Sequence, residues 1–165
     1  MTYYLMSQRY YILIRLSEAT MDAKTEQQLS MSAKNRIVGI VEDDLSSAFF
    51  FNEALHTIKG IEVFKFTDPI MALEHFKMNY KDYALMICDL RMPVINGLQL
   101  LMTVKDLNPL VRTILMTAFT IGENLFQENT KKEIINGFLQ KPIELNQFLA
   151  EVDKQITVFQ NMNKK

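Results

Sequence analysis

Five short apolar runs punctuate the chain: RIVGIV (36–41), IEVFKF (61–66), ALMIC (84–88), VRTILM (111–116) and GFLQ (137–140). Runs this short fit strands better than buried helices. They are apolar nearly throughout rather than alternating, so they predict strands covered on both faces. The segments between them change period. LSSAFFFNEALHTI (45–58) has helical spacing and stops at Gly60; IMALEHFKMN (70–79) follows an Asp68-Pro69 start signal. GLQLLMTVKDL (97–107) ends at Asn108-Pro109, and a polar helix is expected over roughly 121–135. The last helix is expected over roughly 144–159, where Leu145, Phe148, Leu149, Val152, Ile156 and Phe159 share one side. Strands alternating with helices predict an α/β domain with a parallel, doubly wound sheet.

Charge and composition close off other classes. The net charge is −1, so no basic field invites nucleic acid. Cys88 is the single cysteine, which rules out a disulfide framework within the chain and suits a reducing compartment. His56 and His75 lie on separate segments and no Cys/His cluster exists, so structural zinc is not expected. No apolar run approaches the roughly 20 residues that span a bilayer. The N-terminal MTYYLMSQRYYILIRLSEAT lacks the basic start, apolar core and small-residue cleavage site of a signal peptide. A cytoplasmic protein without membrane contact is the expectation.

A composition change near residue 35 divides the chain. Residues 1–35 contain no Gly or Pro and are mostly polar from Thr20 onward. They read as an N-terminal extension, poorly ordered or dispensable, with a specific docking element as the other reading; Met21 and Met31 are alternative starts. Residues 36–160 form the expected domain, and 161–165 a tail.

The chemistry collects where strands end. In an open parallel sheet, ligands bind beyond the carboxyl ends of the strands. There the chain places Glu42-Asp43-Asp44, then Asp89, then Thr117-Ala118, then Lys141-Pro142. Clustered carboxylates repel and resist burial. A hard divalent cation such as Mg²⁺ resolves this by taking carboxylate and phosphate oxygens together. A carboxylate beside such an ion can act as a nucleophile toward phosphorus, and a lysine can neutralise the transferred phosphoryl group. No Ser/His or Cys/His pair is placed for acyl transfer.

These pieces together, VEDD after the first strand, DLRMPVING after the third, MTA after the fourth and KP after the fifth, resemble the receiver domain of two-component response regulators over about 36–160. The resemblance implies a flavodoxin-like five-stranded sheet in the order 2-1-3-4-5. It implies that Asp89 is the phosphoacceptor, that Asp43 binds Mg²⁺ directly and Glu42 through water, and that the backbone carbonyl of Arg91 completes the protein ligands. Thr117 resembles the switch hydroxyl, Lys141 the lysine that pairs with the phosphoryl group ahead of a cis Pro142, and Phe138 the aromatic switch. Asp44 falls outside the acidic pair, where it can cap the first helix.

The implied function is that of a stand-alone receiver. It takes a phosphoryl group from a histidine kinase or phosphotransfer protein and alters the surface formed by the fourth helix, fifth strand and last helix. That surface would engage a downstream target protein or a second copy of the chain. Catalysis would be limited to its own phosphotransfer and autodephosphorylation, so it is not expected to be an enzyme. Arg91 and Phe119, two residues after Asp89 and Thr117, would line the path of attacking water and lengthen the phosphate's life. Two departures stand out: the span from Thr117 to Lys141 is about two residues long for the family, and Ile135-Asn136-Gly137 replaces the usual Gly-Ala.

Two other classes compete. One is a degenerate receiver that binds partners without phosphorylation. The other is a Mg²⁺-dependent phosphatase or phosphotransferase, which Arg91 argues against because such enzymes often carry a second acid two residues after the nucleophile. Elsewhere, Cys88 reads as core, and His56 and His75 as surface residues. Leu45, Ala48, Phe51, Leu55 and Ile58 form one stripe on the first helix, from which Phe50 points nearly opposite. Phe50 is either covered by the extension or part of a docking patch.

Overall fold

The structure, a computed structural model, describes residues 36–118 and 132–163. The strands are β1 (Ile37–Val41), β2 (Glu62–Phe66), β3 (Tyr83–Asp89), β4 (Arg112–Thr117) and β5 (Gly137–Gln140). The described helices are α1 (Leu45–His56), α2 (Pro69–Asn79), α3 (Gly97–Leu107) and α4 (Leu145–Met162). All strand pairs are parallel and the order is β2-β1-β3-β4-β5, as expected.

Each helix start has a local cause. The Asp44 carboxylate accepts the Ser47 N–H at 2.8 Å and caps α1. Asp68 accepts the Ile70 N–H at 2.8 Å, with Pro69 in the first turn of α2. Asn96 and Gln99 exchange side-chain and backbone bonds in a capping box that opens α3. Gly60, at φ 83°, takes a left-handed turn between α1 and β2.

Alternation along the strands divides the core into two layers. Val41, Met86, Cys88 and Leu115 face α2 and α3, packing with Phe76, Leu100 and Val104. Val38, Ile40, Leu85, Ile87, Ile114 and Met116 face α1 and α4, packing with Phe51, Leu55, Phe148 and Val152. Each buried Leu, Ile or Phe removes about 1.5–3 kcal/mol of unfavourable hydration, so both faces are needed to hold the sheet.

Four expectations are corrected. Residues 132–135 form a turn, with Glu133 at φ 57°, so no helix runs through to residue 135; the Asn136 side chain bonds the Glu133 carbonyl there. The rest of that expected helix, from 121 to 131, lies outside the described residues, as do Phe119, the extension 1–35 and the last two residues. The final helix runs on to Met162, three residues past the expected end. Leu45, in the first turn of α1, is 71% exposed and Ile58 is only partly buried, whereas Ala48, Phe51 and Leu55 are in the core. His75 is half-buried rather than on the surface: its ring packs 4.2 Å from that of Phe64, and Nδ1 lies 2.8 Å from the Tyr83 hydroxyl. His56 is exposed and Cys88 fully buried, in line with their readings. Among the described residues, no helix is long and apolar enough to cross a membrane.

Candidate functional site

Strand order brings the chemistry together. β1, β3, β4 and β5 are successive neighbours apart from the β2 edge, so their carboxyl ends form one rim. The ladder bonds continue past the strand ends. Glu42 N–H donates to the Phe66 carbonyl at 3.0 Å, Leu90 N–H to Met116 at 2.8 Å, and Lys141 N–H to Thr117 at 2.7 Å. The backbone of each functional residue is therefore pinned at or beside the last rung, and its position is set by the sheet itself.

The side chains converge. One carboxylate oxygen from each of Glu42, Asp43 and Asp89 lies within 4.8 Å of the others. Glu42 and Asp89 are buried, and Asp43 is exposed. Lys141 reaches across from the far side of β4: its Nζ lies 2.6 Å from Glu42 Oε2 and 2.7 Å from Asp89 Oδ1. Asp89 Oδ2 accepts the Arg91 N–H at 2.7 Å. Thr117 ends β4 and is buried, and the Lys141–Pro142 bond is cis. Phe138 is half-buried on β5 and packs against the α2/α3 layer.

Electrostatics decides what the cluster can hold. At an effective dielectric near 20, two like charges 4.8 Å apart repel by about 3 kcal/mol. Three carboxylates and one ammonium leave a formal charge of −2, which a divalent cation matches. The donors are all hard oxygens, the set that suits Mg²⁺ rather than zinc. Burial pushes the Glu42 carboxyl above its ordinary value, even though the Lys141 hydrogen bond and charge pull it down. Burial alone would lower the Lys141 ammonium, but its bonds to Asp89 and Glu42 outweigh that and raise it. Lys141 thus stays charged, while Glu42 is held in its ionised form at a cost.

Two features of the loop after β3 were not singled out from the sequence. Gly97 N–H donates to the Leu90 carbonyl at 2.9 Å, and a Cβ at Gly97 would collide with the Asp89 carbonyl oxygen and Cys88 Sγ. A glycine opening a helix costs propensity, and that was the available signal for close packing. Val94 adopts φ 73° and is 82% exposed. A β-branched residue in the left-handed region is strained by about 1–3 kcal/mol. Val94→Gly should therefore raise the melting temperature by about 4 °C, after allowing for glycine's greater freedom when unfolded. A lower melting temperature would show that the valine backbone is not under strain.

The comparisons with known proteins agree with this geometry. The model of the response regulator receiver domain matches residues 38–153, so the chain belongs to that family. It is a receiver domain of the kind found in two-component systems. The transcriptional regulatory protein ZraR of Klebsiella oxytoca is 31% identical over 116 residues, which are 70% of this chain and 25% of ZraR. The sporulation initiation phosphotransferase F of Bacillus subtilis is 25% identical over 128 residues, 77% of this chain and 98% of that protein. The chain thus spans about a quarter of the first relative and nearly all of the second. A receiver domain protein from Clostridium thermocellum superposes with a TM-score of 0.67 at 20% identity, covering 77% of this chain and 98% of that one. The regulator TrrA of Thermotoga maritima, solved in complex with Mg²⁺ and BeF, gives 0.61 at 21% identity, covering 73% and 98%. At these identities the structures speak to the fold.

Proposed function

We propose that this receiver accepts a phosphoryl group on Asp89 from the phosphohistidine of a histidine kinase or phosphotransfer protein, with Mg²⁺ as cofactor. The observation that carries the reading is the convergence of Lys141 on both Glu42 and Asp89, with Asp43 beside them. An Asp89 oxygen attacks phosphorus, the P–N bond breaks, and its electron pair returns to the imidazole nitrogen, which takes a proton. Asp43, Asp89 and the Arg91 carbonyl would hold the ion directly and Glu42 through water; bound there, it would offset negative charge on the phosphoryl oxygens. Lys141 lies beside the accepting oxygen and would pair with the phosphoryl group. In doing so it would loosen its hold on Glu42.

Thr117 and Phe138 supply the link outward. Thr117 ends the strand next to β5, and its carbonyl bonds Lys141, so movement at the phosphoryl group reaches β5 directly. Phe138, half-buried three residues before Lys141, is the residue whose packing would change. The face that β5 and α4 share would then meet a downstream protein or a second copy of the chain. The phosphotransferase relative, nearly all of whose length this chain matches, supports a role in passing phosphoryl groups between proteins, and a cytoplasmic location is part of the same reading. The DNA-binding function named for other relatives is not carried over, because the matched portion is a quarter of their length.

Titration of the full chain with MgCl₂ by calorimetry tests the cofactor. Saturable binding is expected, weakened at least roughly tenfold, or about 1.4 kcal/mol, in Asp43→Asn. Binding that is unaffected by the substitution would overturn the ligand assignment.

A further inference from the structure

A second cluster sits at the other end of α3. Lys105 lies eight residues along the helix from Gly97, about 12 Å at 1.5 Å per residue. Its Nζ donates to the Pro109 carbonyl at 3.3 Å. Among the described residues, Met102, Lys105, Asp106, Pro109, Lys132, Glu133 and Ile134 line a recess of about 300 Å³. Lys105 is half-buried there. Burial, helped by the nearby Arg112 charge, lowers its ammonium to about 8 against the opposing pull of Glu133. The lysine at the acidic site moves the opposite way because two carboxylates hold it. No carboxylate forms an ion pair with Lys105 among the described residues.

A neutral amine has a lone pair to give. It can keep one N–H on the Pro109 carbonyl while the lone pair faces the recess. The recess admits a small electrophile, and Lys132 in its lining, with the Arg112 charge acting from outside it, favours an anionic product. Asp106 and Glu133 oppose that product, so the balance of charge around Nζ is near neutral rather than repulsive.

We propose that Lys105 is a carbamylation site, at which the side-chain amine adds dissolved carbon dioxide in the recess between α3 and the turn at 132–135. The amine nitrogen forms a bond to carbon, one C=O electron pair moves onto oxygen, and the nitrogen loses a proton to water. The product is a carbamate carrying one negative charge, and no oxidation or reduction occurs. The modification would replace a cation by an anion on the end of α3 remote from Asp89. It would make the surface beside the turn that leads into β5 sensitive to carbon dioxide. It is independent of the phosphoryl chemistry, because Lys105 touches none of Glu42, Asp43 or Asp89.

The full chain is equilibrated with ¹³C-bicarbonate near pH 7.5, the carbamate is trapped with a trialkyloxonium reagent, and peptides are read by mass spectrometry. Trapped adduct at Lys105 is expected at least about tenfold above that at exposed Lys132, with none at position 105 in Lys105→Arg. Glu133→Gln, which removes the carboxylate that favours the ammonium, should increase the adduct. Equal labelling of Lys105 and Lys132, or no change in Glu133→Gln, would overturn the proposal. Unchanged far-UV circular dichroism in both variants separates loss of the site from loss of the fold.

Discussion

Replacing Lys141 by methionine should destabilise the metal-free protein by about 3 kcal/mol near neutral pH, a fall in melting temperature on the order of 10 °C. The reason is Glu42. Its carboxylate is buried, and Lys141 is its ion-pair partner at 2.6 Å. Removing one member of a buried pair strands the other charge, which costs more than the pair ever contributed. Burial already holds Glu42 above its ordinary value of 4.5, and Lys141 supplies two of the pulls against it. Without the lysine the folded value rises further. A carboxyl raised on folding leaves stability intact below its unfolded value and erodes it as pH climbs through the folded one. The deficit of Lys141→Met should therefore be small near pH 4.5 and grow toward pH 7.5, measured by thermal melts in EDTA against the parent at each pH. Adding Glu42→Gln should recover part of the loss, since the more deeply buried of the two stranded charges is gone while Asp89, the other partner at 2.7 Å, remains. A deficit independent of pH, or one that the second substitution does not relieve, would mean that lysine packing rather than charge is responsible.

Gly97→Ala should cost about 2–3 kcal/mol, a large effect for one methyl group. The added carbon would meet the Asp89 carbonyl, which is backbone, and Cys88 Sγ, the tip of a short and fully buried side chain. Relief requires α3 to shift away from the end of β3. That shift would stretch the Gly97 to Leu90 bond and disturb the loop whose Arg91 N–H fixes Asp89 Oδ2. The melting temperature should drop by about 10 °C, and phosphorylation should slow even where the protein remains folded. Wild-type stability in Gly97→Ala would show that the helix has slack at its start. By contrast, Gly97→Ser should be no better than alanine, because the clash lies at Cβ.

Much of this was legible in the chain. The apolar runs located all five strands within a residue or so, because parallel strands buried on both faces leave an unbroken signal. Asp68-Pro69 and Asn108-Pro109 located helix ends through chemistry that works locally. The convergence of the candidate residues was legible because a parallel sheet delivers every strand end to one rim, so position in sequence becomes position in space. What the sequence concealed was lateral. Periodicity gives a face of α2 but not that the edge strand β2 offers Phe64 and Phe66 to His75, which is why that ring was expected on the surface. Leu45 fits the stripe of α1 in projection, yet it opens the first turn of the helix and stays exposed. The turn at 132–135 depends on Glu133 taking a left-handed backbone, which its side chain does not announce. That Lys141 reaches the same rim as the acids was legible, but not that it bridges Glu42 and Asp89 at once, 99 residues from the first of them.

The central claim is that Asp89 accepts phosphorus with the help of the acids and the lysine around it. The full chain, incubated with a phosphoramidate and MgCl₂ and read by intact mass, should gain one phosphoryl group. Asp89→Asn under the same conditions, and the parent in EDTA, should gain none. Incorporation in Asp89→Asn equal to that of the parent would contradict the account.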